Sequence, residues 1–254
     1  MRTISFSIVY LFSATRLLAS SIVLLASTAL PALSSDKYPV LDVLVYESLG
    51  EAHENEEGEI VGAAVDKVRQ FLDKSGLEYT VKQLPWARLY KQVLGSDHTL
   101  AVNLLRTVER EDDFHWIYRI RIEEQFLIAS NTTAMRAFDR SEIAEGKYTA
   151  ICDRQSAQCD FLKSLGFPDK NIMRFYGMTT GEQVQMVLSG RIDFVIDGID
   201  SLTRDIQDLN IEADELIQVM SVHRTGVYLV ASKSIDPQVL NILRKVARQE
   251  SGNQ

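Results

Sequence analysis

Two arginines four residues apart stand where a strand-like segment gives way to a polar turn. The apolar run 100–105 (LAVNLL) leads into Arg106 and Arg110, and Phe114 and Trp116 follow. A guanidinium presents a planar fork of donors that fits a carboxylate better than a lysine ammonium does. A strand that ends in such a turn can direct an arginine into a cleft, so we predict an anion-binding corner here. The other interpretation, a solvated turn with surface arginines, stays open on the local sequence alone.

The remaining residue types that could do chemistry are few. Cys152 and Cys159 lie close in sequence, and a disulfide between them is possible, although sequence does not give the distance between their Cα atoms. The four histidines are scattered without metal-ligand spacing, so no metal or cofactor is expected. The chain has neither a Gly-x-Ser-x-Gly nucleophile elbow nor a phosphate-binding loop, and we do not expect an enzyme.

Residues 1–34 are predicted to be a signal peptide. Arg2 and Arg16 precede a short apolar run at 17–26, and Ala32-Leu33-Ser34 fits the small-x-small pattern of a signal peptidase site. The apolar run is shorter than the ~20 residues that a membrane-spanning helix needs. An uncleaved N-terminal anchor is the alternative. The chain is therefore expected to be exported.

The charge of the chain disfavours two classes of partner. The net charge is −8, and removal of residues 1–34 with their two arginines leaves 220 residues with a net charge of −10. An acidic protein of this kind is not expected to bind nucleic acid or an anionic membrane surface. A chain of this length suffices for one large domain or two small lobes.

Strand and helix patterns alternate along the chain. Strands are predicted at residues 40–46, 78–84, 99–105, 125–130, 148–152, 171–176, 192–197 and 226–232. Helices are predicted at residues 63–72, 86–94, 156–165, 179–188, 199–209 and 237–248, and Thr179 with Glu182 forms a capping-box pattern. This alternation predicts an α/β fold of mostly parallel sheets flanked by helices. Two such units joined by two crossings would leave a ligand cleft between them.

Four short motifs follow one another in an order that resembles a known family. They are GEIVGAAVD at 58–66, LPWAR at 84–88, RTVER at 106–110 with its two following aromatics, and GRID at 190–193. In these motifs the chain resembles the extracellular solute-binding proteins of family 3, the receptors of polar amino acid ABC transporters, in their "LPWAR" branch. The resemblance covers nearly the whole chain after the signal peptide.

The resemblance implies a two-lobed, periplasmic-binding-protein-like type II fold. Lobe one would comprise residues 35–130 and 224–254, and lobe two residues 131–223, each a mostly parallel sheet flanked by helices with the ligand cleft between them. The expected protein is a periplasmic monomer without a cofactor. It would capture a small carboxylate, an amino acid in the default case, by hinge closure and deliver it to an inner-membrane ABC permease.

The resemblance also implies roles for individual residues. Arg110 would grip the ligand carboxylate while Arg106 is secondary, and an acid after the GRID strand would take the ligand amino group. The family places a small or polar residue before that acid, whereas this chain has Asp197-Gly198, so that Asp197 and Asp200 are both candidates. The other candidate ligand contacts are Asn103, Leu105, Thr107, Arg154, Ser156, Trp86 and Arg88. Core packing is an alternative role for Trp86, and a structural salt bridge for Arg88.

Two further functions fit the same fold. One is an orphan or sensory receptor that has no transporter. The other is a periplasmic enzyme similar to the cyclohexadienyl dehydratases, which would need a carboxylic acid with a raised pKa in the cleft as proton donor. The sequence does not single out such an acid.

Overall fold

The structure, a computed structural model, describes residues 38–48, 50–199, 202, 203, 207 and 210–251. The predicted signal peptide, the candidate Asp200 and most of the helix predicted at 199–209 lie outside these residues. Among the described residues, no helix has the length and apolar character needed to cross a membrane.

Strands and helices alternate as predicted. The strands are β1 (Leu41–Val45), β2 (His53–Glu54), β3 (Ile60–Val61), β4 (Tyr79–Gln83), β5 (Thr99–Leu105), β6 (Phe114–Ser130), β7 (Ala150–Asp153), β8 (Ile172–Phe175), β9 (Phe194–Gly198) and β10 (Leu216–Ser232). The described helices are α1 (Ala63–Ser75), α2 (Trp86–Gly95), α3 (Thr133–Arg136), α4 (Ser141–Ala144), α5 (Ala157–Ser164), α6 (Thr180–Leu188) and α7 (Pro237–Ser251). Most predicted elements agree with these within a few residues.

One eight-stranded sheet organises the fold, in the order β4-β1-β5-β10-β6-β9-β7-β8. Strands β4, β1 and β5 are parallel to one another, and so are β9, β7 and β8. The two central strands, β6 and β10, are antiparallel to each other and to their outer neighbours. The sheet is therefore mixed, with a parallel set on each side of an antiparallel pair.

The two central strands are longer than predicted. Each has 17 residues, whereas the sequence predicted only 125–130 and 226–232 as strand. Much of residues 216–225 is exposed or half-buried, so the apolar alternation that identifies a strand is weak there. Backbone pairing with the other long strand holds this segment, and Ile217, Val219 and Val222 pack at the edge of the second-lobe core. The two strands form a continuous ribbon through the whole sheet.

Separate apolar cores lie on the two sides of this ribbon. Helices α1 and α7 cover one face of the β4-β1-β5 side, which buries Phe71 and Leu243, and α2 covers the other face with Leu89. On the β9-β7-β8 side, α5 packs with Leu162 against one face and α6 with Val184 against the other. We call these the first and the second lobe.

The division into lobes at residues 130/131 and 223/224 stays a prediction. Within the described residues, Leu127 and Ala129 fall in the range predicted for lobe one but pack in the core that contains Leu162 and Phe194. One half of each ribbon strand therefore packs in the core of the first lobe, and the other half packs in the core of the second lobe. A lobe boundary near the middle of both strands fits this packing.

Helix α1 begins against the turn that follows β1. Gly62, the residue before the helix, has φ 133°, and a Cβ there would lie 2.4 Å from the carbonyl carbon and oxygen of Glu51. Glycine at this position lets the amide of Ala64 donate to the carbonyl of Glu51 at 3.2 Å. The GEIVGAAVD motif thereby fixes the backbone of Glu51, whose side chain reaches the ribbon.

Candidate functional site

A cleft of about 120 Å³ lies at the carboxyl ends of strands from both lobes, where parallel sheets place their ligands. The first lobe contributes Tyr46, Glu47, Ser48, Trp86, Asn103, Leu105 and Arg110. The second lobe contributes Asp153, Ser156, Ala157, Gln158, Met178, Thr179, Thr180, Gln183, Ile196 and Asp197. The volume suits a solute of about the size of an amino acid rather than a drug-sized ligand.

Arg110 is the cationic group of this cleft. Its side chain is buried, and the residue is 2% exposed. The guanidinium carbon lies 5.2 Å from the ring centre of Trp86 and 5.3 Å from that of Tyr90, and Nη2 donates to the carbonyl of Gln155 at 2.7 Å. Arg110 forms no ion pair with any acid of the described residues, and burial lowers its pKa. Most of its five N–H donors are therefore left for another acceptor.

A single 3₁₀ turn directs this arginine inward. After β5 the chain makes the turn Val108–Arg110, in which the amide of Arg110 donates to the carbonyl of Thr107 at 3.2 Å. Val108 is 88% exposed on the outer side of the turn. The next residues are held by Tyr90, whose hydroxyl donates to Asp113 at 3.0 Å. The turn thus directs the side chain of Val108 to solvent and that of Arg110 into the cleft.

Aromatic rings form the wall behind Arg110. Trp86 packs against Tyr46 and Tyr90 with ring centres 5.3 and 5.4 Å apart. Burial raises the pKa of Tyr90 to about 12, so its phenol stays protonated at neutral pH. The indole Nε1 of Trp86 is buried and has no hydrogen-bond partner in the described part of the chain. The wall is therefore mostly aromatic, with one buried donor that has no partner among the described residues.

Arg106 has different surroundings. Its guanidinium donates through Nε to Glu111 at 2.7 Å and also contacts the second oxygen of that carboxylate. It lies over the rings of Trp116 and Tyr228, at 5.4 and 5.5 Å from their centres, and its side chain is 39% exposed. The hydrogen bond from Arg106 lowers the pKa of Glu111. Arg106 therefore belongs to a surface ion pair.

Asn103 lies in the cleft in an unusual conformation. Its φ is 66°, which is rare for a residue within a strand, and its Oδ1 accepts from Nη1 of Arg121 at 2.9 Å. Arg121 also donates to Glu51 at 3.1 Å and to Glu123 at 2.9 Å. The amide nitrogen Nδ2 of Asn103 is buried without a hydrogen-bond partner among the described residues. This group is a second unused donor of the first lobe.

Gly198 lies beside the carboxylate of Glu123. A Cβ at residue 198 would lie 1.8 Å from Oε1 of Glu123, so a larger residue there would require this side chain to move. Asp197 lies at the cleft wall, where it is 6% exposed and its Oδ1 accepts from the amide of Gly198 at 2.7 Å. Glycine at residue 198 thus leaves space for the carboxylate through which Glu123 pairs with Arg121.

The second lobe presents the β7–α5 turn and the start of α6. The possible disulfide between Cys152 and Cys159 is present and spans this turn. Ser156 precedes α5 and is buried at the cleft. The predicted capping box of Thr179 and Glu182 is present, and it places the first turn of α6 at the cleft wall.

Among the described residues, more carboxylates than cationic groups line the cleft. Glu47, Asp153 and Asp197 line it, and a neighbouring cavity of about 280 Å³ continues past Glu47 and Asp153 to Glu54. Burial raises the pKa of Asp153, although the amide of Gly177 donates to its carboxylate at 3.3 Å. A ligand with a carboxylate at the arginine and positive charge elsewhere would match this pattern.

The predicted site residues divide into two groups. Six lie on the cleft wall: Trp86, Asn103, Leu105, Arg110, Ser156 and Asp197. Three lie elsewhere in the structure. Thr107 is buried beside the wall, and its hydroxyl has no hydrogen-bond partner in the described chain. Arg88 is exposed, and Arg154 is exposed with its guanidinium 4.7 Å from the ring centre of Tyr176.

Sequence reasoning missed the acids Glu47 and Asp153 and most of the wall from α6. Both acids stand at or just after the end of a buried strand, and this position was the available signal. The contribution of Gln183 had no signal in the sequence, because it depends on how α6 approaches the other lobe.

The comparisons with known proteins show likeness in structure only. No sequence-family description and no curated protein matches the chain. The arginine-, lysine-, histidine-binding protein ArtJ of Geobacillus stearothermophilus is similar with a TM-score of 0.67 at 13% identity, over 85% of this chain and 90% of that one. A histidine kinase sensor domain with similarity to periplasmic binding proteins gives 0.68 at 12% identity, over 86% and 93%.

A third similar structure is an ancestral amino-acid-binding protein described as a precursor of cyclohexadienyl dehydratase, with a TM-score of 0.65 at 14% identity, over 84% of this chain and 90% of that one. The chain has the fold of the periplasmic binding proteins. At these identities the likeness extends to the fold and no further. The predicted "LPWAR" branch is not tested by it.

Proposed function

We propose that this protein is a periplasmic solute-binding protein that captures a small carboxylate bearing positive charge, foremost an amino acid with a cationic side chain. It belongs with the "LPWAR" type of receptor, acts as a monomer, and delivers the solute to an inner-membrane ABC permease. The ligand bridges the two lobes and stabilises their closed arrangement, since a ligand shifts an equilibrium toward the state in which it makes more contacts.

The observation that carries the proposal is the buried guanidinium of Arg110. Burying a charge is costly unless it is paired, and this one faces the cleft without an ion pair in the described residues. Trp86 and Asn103, each with a buried donor that has no hydrogen-bond partner among the described residues, line the same cleft. A ligand carboxylate would pair with the guanidinium through two parallel hydrogen bonds.

The acids of the cleft support a cationic solute. Glu47, Asp153 and Asp197 would compensate an amino group and a second positive group at a distance from the carboxylate. A cationic side chain would place its positive charge near these carboxylates, which a neutral or acidic amino acid cannot do. The ability of the fold to take such solutes is illustrated by the arginine-, lysine-, histidine-binding protein.

The ribbon of β6 and β10 supports hinge closure. It is the connection between the parallel sets of the two lobes, and its pairing shifts register between Ser221 and His223 and again between Val227 and Tyr228. Such irregularities bend and twist a strand pair locally. The hydrogen bond from Arg110 to Gln155 joins the two lobes directly beside the cleft, where a ligand would add further contacts.

A solute panel tests the proposal. Purified mature protein is titrated calorimetrically with L-arginine, L-lysine, L-histidine, L-glutamine, L-glutamate and citrate. We expect saturable binding of at least one cationic amino acid and a higher thermal midpoint in its presence. Tighter binding of glutamate or citrate than of every cationic amino acid would overturn the proposed charge of the solute. Loss of uptake in cells that lack the protein would separate a transport receptor from a sensory one.

A dehydratase-like activity is the second candidate, and Asp153 is the observation that favours it. Burial raises the pKa of this cleft carboxyl, which is the direction that favours a proton donor to a leaving group. Incubation with prephenate separates the two functions. Consumption of prephenate with loss of water and carbon dioxide, abolished by Asp153→Asn, would establish the enzyme, and unchanged prephenate would exclude this reaction.

A further inference from the structure

The disulfide between Cys152 and Cys159 encloses most of the ligand-facing turn of the second lobe. Cys152 belongs to β7 and Cys159 to α5, with six residues between them. Four of these six line the cleft, namely Asp153, Ser156, Ala157 and Gln158. A fifth, Gln155, supplies the carbonyl that accepts from Arg110. Only Arg154 within the loop is directed elsewhere.

The backbone of this turn adopts a conformation that few residues favour. Gln155 has φ 64°, in the left-handed region that side chains other than glycine and asparagine rarely occupy. Backbone hydrogen bonds join the amide of Ser156 to the carbonyl of Asp153 at 3.0 Å and the amide of Arg154 to the carbonyl of Phe175 at 2.8 Å. The cross-link restrains the same turn from both ends, so that the left-handed residue has fewer ways to relax.

The position of the bridge is also informative about stability. A cross-link stabilises a protein chiefly by restricting the unfolded chain, and a short loop restricts it less than a long one. Both cysteines are buried in the second-lobe core, where apolar packing already holds β7 against α5. The bridge therefore has more influence on the shape of the turn than on whether the lobe folds.

We propose that the Cys152–Cys159 disulfide is a positioning element of the solute site, a role that rests on the proposed function for its effect on binding. It holds the turn so that the carbonyl of Gln155 meets Arg110 and the carboxylate of Asp153 faces the cleft. Opening the disulfide lets the turn relax, and solute affinity falls while both lobes stay folded. Solute capture thereby depends on the oxidising environment that maintains the bond.

Two measurements test this inference. Amide hydrogen exchange compares oxidised protein, the Cys152→Ala/Cys159→Ala double variant and protein reduced with dithiothreitol. In the reduction, two electrons and two protons pass from the dithiol to the cystine, which gives two cysteine thiols and cyclic disulfide of the reagent. Since the cysteines are buried, reduction is carried out in mild denaturant that is then removed. The same samples are titrated with L-arginine.

We expect at least tenfold faster exchange confined to residues 153–158 and at least a tenfold rise in the dissociation constant for L-arginine, with circular dichroism unchanged. The reduced protein keeps both sulfur atoms, so agreement between it and the double variant excludes a cavity effect. Unchanged exchange at 153–158 would overturn the positioning role, and so would faster exchange with unchanged affinity. Faster exchange in a protein whose oxidised form binds no panel solute would support the positioning of the turn and contradict the proposed function instead.

Discussion

Arg106 and Arg110 lie one short turn apart and have opposite surroundings. Both guanidinium groups lie over a pair of aromatic rings. The first is exposed and bound to the carboxylate of Glu111, while the second is buried, bonded to a backbone carbonyl, and without an ion pair in the described residues. The stacking is shared, so what distinguishes the two arginines is burial and the absence of a protein carboxylate.

We propose that this difference separates a structural arginine, Arg106, from a ligand-binding one, Arg110. The exposed pair is satisfied within the protein, and such pairs contribute about 0–1 kcal/mol to stability. The buried guanidinium has given up hydration without gaining a full partner, which makes an external anion its natural partner. The same 3₁₀ turn that exposes Val108 creates this difference, because residues two apart on the turn point to opposite sides.

The largest expected effect follows from Arg110→Ala. Removing one partner of a buried, hydrogen-bonded charge pair costs about 2–5 kcal/mol, which corresponds to roughly 30- to 5,000-fold weaker binding of a carboxylate solute. Isothermal titration with L-arginine measures this loss. The unliganded variant is expected to stay folded, because removal of the desolvation cost that lowers the pKa of Arg110 offsets the lost ring contacts and the lost hydrogen bond to Gln155.

Arg110→Lys tests whether the positive charge of residue 110 is sufficient for binding or whether the guanidinium is needed. It keeps a positive charge but loses the planar fork, so we expect affinity to stay well below that of the wild type. Full retention of affinity in either variant would show that Arg110 is buried for structural reasons alone.

Asp153→Asn has the next largest expected effect. We expect about tenfold weaker binding of L-arginine, the order of magnitude for losing one partly desolvated charge contact. Burial raises the pKa of Asp153, and a bound cation favours its ionised form, so wild-type affinity falls as the pH is lowered through this raised pKa. The asparagine variant should lose this part of the pH dependence. An identical pH profile in both proteins would exclude Asp153 from the cationic subsite.

Arg106→Ala has the smallest expected effect on binding and serves as the matched control. We expect affinity within about twofold of the wild type, together with a loss of about 1 kcal/mol in the free energy of unfolding from the ion pair and the cation–π contacts. Chemical denaturation and titration of the same preparation measure both quantities. A loss of affinity comparable with that of Arg110→Ala would remove the distinction between the two arginines.

Most of the fold was predictable because its signals are local. Apolar periodicity identified β1, β5, α1 and α2 with nearly correct ends, and the capping box of Thr179 identified the start of α6. The prediction failed for the ribbon, since residues 216–225 pair with a strand about a hundred residues away and their apolar residues are interrupted by exposed polar ones. Such pairing leaves little periodicity in a single sequence.

The site was predictable at its centre and not at its edges. Arg110 was identified by its place after a strand together with the resemblance, and the structure buries it in the cleft. Arg154 was expected in the cleft because it lies near a helix N-terminus. Its guanidinium lies over Tyr176 instead, since the cross-linked turn directs residues 153 and 155–158 toward the cleft. The left-handed backbone of Asn103 and its bond to Arg121 depend on tertiary contacts that no local pattern reports.

A thermodynamic cycle with two ligands shows whether Arg110 binds a ligand carboxylate. L-arginine and agmatine differ only by the carboxylate, and each is titrated into wild-type protein and into Arg110→Ala. We expect the wild type to prefer L-arginine by roughly 30-fold or more and this preference to fall to near unity in the variant. An equal preference in both proteins would show that the carboxylate is bound elsewhere than at Arg110.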